Sequence, residues 1–262
     1  MDFIKAIILG IVQGITEWLP ISSSGHLVIA DKLLGSQANI VFDLVLHLGS
    51  LAAVLLFFHK DILSIIKAWL KWQSKSYEFK MGLYIIAGSV PIAVIGVIFQ
   101  DIVEKAFSSI FFVGFAFLIN GAILFSTKFA KGKKPLSMKL AVVVGAAQAV
   151  ALAPGISRSG STISAGMLAG MDKEKVAKFS FLLGIPAILG AIVFKFWSAA
   201  IAPIEIPYIL VGFIAAFITG LLALPVLMSI IKKGRFYRFS WYCFALGILV
   251  LFLNYASSGG GI

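Results

Sequence analysis

The chain has 262 residues, of which 60% are hydrophobic and 13% are charged. Its mean hydropathy is +1.04, and a water-soluble domain cannot hide so much apolar surface, so the composition predicts a polytopic membrane protein. The single cysteine, Cys243, excludes a disulfide framework and a cysteine metal site.

The formal net charge of +11 could indicate a nucleic-acid partner or a membrane surface, and its distribution decides between them. Most of the 22 basic residues lie in four short segments between apolar runs, at 60–80, 128–139, 173–178 and 232–238. The remaining gaps are acidic or neutral. This is the positive-inside pattern of cytoplasmic loops, so we expect a lipid bilayer as the environment and no nucleic-acid partner.

The first predicted element, 1–34, has two short apolar arms around a polar break that runs from Gln13 to His26. Neither arm reaches the about 20 residues that a membrane span needs. Three apolar runs of sufficient length follow, at 40–59, 80–99 and 107–126.

The second half repeats this order. Residues 138–170 again contain two short apolar arms around a polar break, from Gln148 to Thr162. Three long apolar runs follow, at 176–199, 207–230 and 238–256. The two breaks share a Gln, a Pro and a Ser/Gly cluster, and they lie about half the chain apart.

The charges of the loops predict how these elements cross the bilayer. Loops 60–80, 127–138 and 231–238 are predicted inside, loops 100–106 and 200–206 outside, and both termini outside. Each short pair must then enter and leave on one side, as a re-entrant hairpin with its break at the tip. The fold class is therefore an all-α polytopic membrane protein, a single domain over 1–262 with six transmembrane helices, two re-entrant hairpins and inverted repeats over about 1–127 and 138–256. The alternative is eight short, kinked spans.

The second break carries groups that suit an anion. A short helix starting near Ser159 would present free backbone N–H groups and the positive end of its dipole. Arg158 supplies a permanently charged fork that matches phosphate oxygens. Hydroxyl donors and close backbone approach come from its neighbours Ser157, Ser159, Gly160 and Thr162. This pattern predicts a phosphate-binding site; the alternative is a structural Arg158–Glu17 ion pair.

The first break carries titratable groups. Gln13 and Glu17 are four residues apart and share one face of a helix, and Pro20 ends that helix. The serines that follow, Ser22 to Ser24, can cap the next helix.

Ser23 and His26 lie on one face if the second helix starts at the serines. A hydroxyl, an imidazole and the Glu17 carboxylate could then converge on Arg158. Together these groups are the ones that phosphoryl transfer needs. Elsewhere, His47 and His59 are predicted to be structural histidines, because no pattern of metal ligands surrounds them.

At these two breaks the chain closely resembles the undecaprenyl-diphosphate phosphatase family, also called the bacitracin-resistance protein family. The first break is similar to its [E/Q]-x-x-x-E motif followed by P-x-S-S-S-x-H, and the other break is similar to its P-G-x-S-R-S-x-x-T motif. Similarity also appears from Phe42 to Ser50 and from Phe179 to Pro186, so the resemblance covers essentially the whole chain.

The resemblance implies an inner-membrane enzyme of bacteria that hydrolyses undecaprenyl diphosphate to the monophosphate and inorganic phosphate. That reaction recycles the lipid carrier for peptidoglycan synthesis and confers bacitracin resistance. Carried over position by position, the family's essential residues match Glu17, His26, Ser157, Arg158 and Thr162, and its candidate hydroxyls match Ser22 and Ser23.

The family is usually described as helped by Mg²⁺ or Ca²⁺. Gln13 stands where many members have glutamate, so Glu17 is the one obvious metal ligand here, and a cation would bind largely through the diphosphate and water.

We therefore expect catalysis by Glu17, His26, Ser23 and Arg158. Phosphate binding is expected from Gln13, Ser22, Ser157, Ser159, Gly160 and Thr162. The polyprenyl diphosphate should reach the site from the outer face, a homodimer is possible, and the nucleophile is either Ser23 or a water. The competing hypothesis is a transporter or flippase of polyprenyl phosphate lipids, alone or in addition to hydrolysis, because an inverted repeat with broken helices also suits transport.

Overall fold

The computed structural model describes residues 2–35, 39–99, 102, 106, 109–198 and 205–258. Within these ranges the chain is α-helical, with short 3-10 turns at Thr127–Phe129 and Phe236–Arg238 and one isolated bridge between Lys134 and Met171. The helices are α1 Phe3–Trp18, α2 Ser23–Leu34, α3 Ile40–Phe57, α4 His59–Leu70, α5 Tyr77–Ile98, α6 Ile110–Ser126, α7 Met138–Val150, α8 Arg158–Leu168, α9 Lys173–Ser198, α10 Ile206–Lys232 and α11 Phe239–Ser258. The predicted all-α class is confirmed.

Six helical segments of the described chain are long and apolar enough to cross a membrane, which confirms the six predicted spans. They are Ile40–Phe57, Tyr77–Ile98, Ile110–Phe129, Lys173–Phe194, Ile206–Lys232 and Phe236–Ala256. Most of the predicted outer loops 100–106 and 200–206 lies outside the described residues, as do Met1 and 259–262, on which the predicted outer position of the termini depends.

One helix was missed by the sequence pattern. The span predicted over 40–59 ends at Phe57, and α4 follows after a single turn residue. Its lysines, such as Lys60 and Lys67, had placed this segment in a cytoplasmic loop. Charged residues along one side of a short apolar helix suit an interfacial position as well as they suit a loop, so hydropathy alone did not separate the two.

The two predicted hairpins are pairs of short helices joined at the polar breaks. Helices α1 and α2 have 16 and 12 residues, and α7 and α8 have 13 and 11. At 1.5 Å per residue, even α1 is only about 24 Å long, which is less than the hydrocarbon core of a bilayer. Their lengths agree with re-entrant hairpins, and the re-entrant topology itself stays a prediction.

The two halves of the chain exchange packing partners. Helix α1 packs against α10 of the second half, and α7 packs against α5 of the first half. Both approaches are close because glycines meet there: a Cβ on Gly14 would lie 2.8 Å from the backbone N of Gly220, and one on Gly145 would lie 2.8 Å from the Gly88 carbonyl carbon. An inverted repeat predicts such reciprocal packing; the repeat boundaries at 1–127 and 138–256 stay a prediction.

Buried apolar side chains fix the short helices among the spans. One buried cluster contains Trp18 of α1, Ile163 of α8, Phe181 of α9 and Leu224 of α10, and all four are fully buried. The Trp18 and Phe181 rings contact edge to face, with centroids 5.8 Å apart. Each buried ring of this size removes a large apolar area from contact with its surroundings, and this burial stabilises the packing of the end of α1 against α9.

Candidate active site

The two polar breaks meet inside the helix bundle. Ser22 is the N-cap of α2, and its hydroxyl accepts hydrogen bonds from the backbone N of Gly25 at 3.3 Å and from that of Gly155 at 3.1 Å. A Cβ added to Gly25 would lie 3.0 Å from the Gly155 Cα, so glycine is required for this approach. One serine hydroxyl therefore joins the first break to the second.

Asn120 of α6 ties the same two segments together from the other side. Its amide donates to the Pro20 carbonyl at 2.9 Å, and its carbonyl oxygen accepts from the Ser157 backbone N at 3.1 Å. Asn120 is fully buried. A buried amide with both ends satisfied fixes geometry, because any displacement leaves an unpaired polar group.

The backbone at the first break departs from ordinary geometry. Ser22 has φ +67° and ψ +99°, a region that non-glycine residues rarely occupy. Conformations of this kind persist where surrounding contacts enforce them, and they concentrate at functional sites. Here the enforcing contacts are the two backbone N–H groups bound by the Ser22 hydroxyl.

Glu17 is the centre of the polar cluster. Its Oε2 accepts from the Ser23 hydroxyl at 2.5 Å and from the Gln13 amide at 3.1 Å, and its Oε1 accepts from Arg158 Nη2 at 2.9 Å. Glu17 is only 8% exposed and Gln13 is fully buried. A carboxylate in such a place is stabilised by its hydrogen bonds and its cation, and removal of either partner would leave a buried charge uncompensated.

Arg158 stands at the first position of α8 with its guanidinium between the two breaks. Its Cζ lies 5.4 Å from the Trp18 ring, within cation–π range, and Nη2 is bound to Glu17. Nη1 is buried and has no hydrogen-bond partner among the described residues. Gln13 Oε1 and Trp18 Nε1 are also buried without a partner among these residues. Unpaired buried polar atoms each cost about 1–3 kcal/mol, and a polar ligand or a water bound at these atoms would relieve that cost.

The hydroxyls predicted to bind phosphate have partners inside the protein. Ser157 is the N-cap of α8 and accepts from the Gly160 backbone N at 3.1 Å, while Ser159 donates to the Trp18 carbonyl at 3.0 Å. Thr162 donates to the Arg158 carbonyl at 2.8 Å and lies 2.5 Å from the Ser180 hydroxyl. In this arrangement these residues hold the start of α8 and position Arg158.

The described contacts of His26 are with groups other than Glu17, beside which the sequence placed it. Its Nδ1 donates to the Ser22 carbonyl at 2.7 Å, and its Nε2 lies 2.7 Å from the Tyr242 hydroxyl. Its ring stacks on Tyr242 of α11 and meets Phe117 of α6 edge to face. Both of its nitrogens are therefore engaged by the Ser22 carbonyl and the Tyr242 hydroxyl.

A different histidine approaches the carboxylate. His47 of α3 was predicted to be structural, yet its Nε2 lies 4.0 Å from Glu17 Oε2, and its Nδ1 lies 2.7 Å from the Asp43 carbonyl. The available signal was an ionisable residue in the middle of a predicted span, which is a functional-site hypothesis in its own right.

The donor set does not fit a metal held by the protein alone. Glu17 is the one carboxylate in the cluster that it forms with Gln13, Ser23 and Arg158, and both of its oxygens already accept hydrogen bonds from protein groups. Among the residues that the structure describes, no group of three or more His, Cys, Asp or Glu side chains is arranged to hold an ion. Mg²⁺ and Ca²⁺ need several oxygen ligands, so this cluster would have to be supplemented by ligands from elsewhere.

Comparison with known proteins identifies the family of the chain. Residues 6–249 match the family described as Bacitracin resistance protein BacA. An undecaprenyl-diphosphatase of Korarchaeum cryptofilum is 44% identical, over 97% of this chain and 100% of its own length. Proteins of the same name from Methanobrevibacter smithii and Carboxydothermus hydrogenoformans are each 43% identical, over 95% and 98% of this chain and over 97% and 99% of their own lengths. The chain therefore belongs to the bacitracin resistance protein BacA family.

Proposed function

We propose that the protein is a membrane phosphatase that hydrolyses undecaprenyl diphosphate to undecaprenyl phosphate and inorganic phosphate. The observation that carries this proposal is the hydrogen-bonded cluster of the buried Glu17 with the partly buried Ser23 and Arg158, where the two polar breaks meet. Its relatives named undecaprenyl-diphosphatase support the same reaction. Hydrolysis would recycle the lipid carrier for cell-wall synthesis, and removal of the diphosphate that bacitracin sequesters would give resistance to it.

Arg158 binds the terminal phosphate in this proposal. Nη2 is committed to Glu17, and the buried Nη1 lacks a partner among the described residues, so one arm of the fork fixes the guanidinium while the other meets a phosphate oxygen. Charge-assisted hydrogen bonds of this kind are roughly twice as strong as neutral ones. They gain further strength in a site from which water is excluded.

Glu17 and Ser23 form the nucleophilic side of the site. The Ser23 hydroxyl donates to Glu17 Oε2 at 2.5 Å, which is the contact expected between a nucleophile and its base. Either Ser23 attacks the terminal phosphorus and forms a phosphoserine, or Ser23 and Glu17 orient a water that attacks. In both routes the phosphoanhydride P–O bond breaks and undecaprenyl phosphate leaves.

A divalent cation, if the reaction uses one, is brought by the substrate. A diphosphate supplies several of the oxygen ligands that Mg²⁺ or Ca²⁺ requires, and water supplies others. The cation would neutralise charge on the diphosphate as it binds. Arg158 still binds and orients the phosphate in its presence, and Glu17 still receives a proton.

The proposal includes a location. The basic loops indicate a cytoplasmic membrane with those loops inside, and the first hairpin, entered from the outer side, gives the diphosphate access from the outer face. The isoprenoid tail would lie in lipid against the exposed apolar faces of the spans. Broken helices at a repeat interface commonly bind anions near the middle of a membrane.

The test is phosphate release from undecaprenyl diphosphate by the purified full-length protein with Mg²⁺ or Ca²⁺. We expect release by the wild type and loss of most activity in Glu17→Gln and Arg158→Lys, which keep size or charge but lose the paired geometry. Asp61→Asn is the matched control, because it removes a 2.5 Å ion pair to Lys178 that includes no residue of the two breaks. Full activity in Arg158→Lys and Arg158→Ala would contradict the phosphate-binding role.

The same preparation tests the transport alternative. If the wild type releases no phosphate with either cation while labelled polyprenyl phosphate crosses a vesicle bilayer, the hydrolase proposal fails and the flippase hypothesis replaces it. A phosphoserine trapped on Ser23 would establish the covalent route, and rapid turnover by Ser23→Ala would exclude it.

A further inference from the structure

His47 is an imidazole in the middle of α3 to which the proposed mechanism assigns no role so far. We propose that His47 is the proton acceptor behind Glu17: it takes the proton that Glu17 removes from the nucleophile and passes it to water. The inference rests on the proposed phosphatase function and adds to it a residue and a route for the proton.

The reaction must dispose of one proton. With the diphosphate as a trianion, hydrolysis yields undecaprenyl phosphate as a dianion, hydrogen phosphate as a dianion, and one proton. In the covalent route the proton comes from Ser23 as the phosphoserine forms; in the direct route it comes from the attacking water. Glu17 Oε2 receives it in both, because Ser23 already points at that oxygen. Glu17 must lose it again before the next turnover.

The neighbours of Glu17 leave one candidate. Among the described residues, the side chains other than His47 that contact the carboxylate are the Gln13 amide, the Ser23 hydroxyl and the Arg158 guanidinium. An amide and a hydroxyl are poor bases, and a guanidinium is already protonated and stays so. Imidazole is the side chain that accepts and releases protons readily near neutral pH. Of these contacts, His47 is therefore the one suited to accept a proton.

The orientation of the ring fits this role. Nδ1 lies 2.7 Å from the Asp43 carbonyl oxygen, which can only accept, so Nδ1 carries a hydrogen and the lone pair of the neutral ring is on Nε2. Nε2 is the atom that faces Glu17 Oε2, at 4.0 Å. That separation exceeds a direct hydrogen bond, and a small side-chain rotation or one bridging water closes it.

Exposure completes the path. The Glu17 side chain is only 7% exposed, whereas that of His47 is 27% exposed. The imidazole therefore reaches the surface of the helix bundle, and the carboxylate does so far less. The carboxylate and the imidazole thus form a two-step route for the proton from the nucleophile to the surface of the bundle, along α1 and then α3.

The experiment is the phosphate-release assay on full-length His47→Gln and His47→Ala. Glutamine retains hydrogen bonding and much of the side-chain volume but does not accept a proton, so we expect kcat to fall about tenfold to a hundredfold in both variants. KM should change little, because Arg158 and its contacts are untouched. Added imidazole should restore part of the activity of His47→Ala, which a purely structural role would not allow.

His59 provides the matched control. Its Nδ1 also lies 2.7 Å from a carbonyl oxygen, that of Leu56, so His59→Gln removes the same backbone contact at a position away from Glu17. It should leave kcat and imidazole dependence unchanged. Wild-type turnover in a folded His47→Gln protein, or no response of His47→Ala to imidazole, would overturn the inference while the phosphatase proposal stands. A wild type that releases no phosphate would overturn both.

Discussion

A single methyl group added at Gly184 should inactivate the enzyme without removing any functional group. Gly184 lies in α9, opposite the Arg158 guanidinium. A Cβ built there would overlap Arg158 Nη1 and would lie 2.7 Å from Cζ. Carbon atoms in ordinary contact are about 3.5 Å apart or more, so Cζ must retreat by about 0.8 Å, and Nη1, which lies closer to the added carbon, must retreat further.

That displacement sets the expected magnitude. A misplacement of about 1 Å in a group that positions substrate can cost on the order of a hundredfold in rate. We therefore expect kcat/KM for undecaprenyl diphosphate to fall about a hundredfold in Gly184→Ala, equivalent to about 2.7 kcal/mol of transition-state stabilisation. Because alanine favours a helix by about 1 kcal/mol over glycine, α9 itself should not be weakened.

Gly190→Ala is the control in the same helix. A Cβ at Gly190 meets no atom within 4 Å, so this variant gains the same helix propensity without touching the site. Phosphate release and thermal unfolding would be measured for both variants. If Gly184→Ala keeps wild-type kcat/KM, then the observed position of Arg158 is not the one that catalysis requires. The proposal that Nη2 binds Glu17 while Nη1 binds phosphate would then be wrong.

The remaining predictions concern individual hydrogen bonds and the cation. Ser159→Ala removes the bond to the Trp18 carbonyl; we expect the free energy of unfolding to fall by about 1–2 kcal/mol with KM unchanged, and a large rise in KM would show that Ser159 binds phosphate instead. Tyr242→Phe frees Nε2 of His26, and its kcat should change by less than tenfold; a loss comparable to Arg158→Ala would place Tyr242 in the chemistry. Raising Mg²⁺ or Ca²⁺ should lower the apparent KM for the diphosphate, whereas an ion that stays bound to substrate-free protein after dialysis would contradict delivery by the substrate.

The spans could be predicted because their signal is additive along the chain. Hydropathy over about 20 residues and the sign of the intervening loops do not depend on tertiary contacts, and the six predicted spans agree with the helices. Helix α4 was not predicted because it is short and carries lysines. Local capping was partly predictable: Ser22 caps α2, as expected of the serines after Pro20, whereas the helix expected to start near Ser159 begins at Arg158 with Ser157 as its N-cap.

Sequence spacing predicted the contacts of the site within one helix, but not those between distant helices. Gln13 and Glu17 are four residues apart on one helix, and they are hydrogen-bonded at 3.1 Å. His47 and Tyr242 come from α3 and α11, and no local pattern states which way a residue in the middle of an apolar helix points. The direction of His26 was equally inaccessible, since it depends on Tyr242, 216 residues away.

The ion pair between Arg158 and Glu17 was first an alternative to a phosphate clamp, and the geometry makes the two compatible. A structural pair would be expected to use the whole fork, yet only Nη2 reaches Glu17, while Nη1 lies buried without a partner among the described residues. Leaving that donor unpaired costs stability in the substrate-free protein. A phosphate oxygen at Nη1 would relieve this cost without breaking the contact to Glu17, so substrate binding would leave the base in place beside Ser23. The pair therefore prepares the site for the anion rather than competing with it.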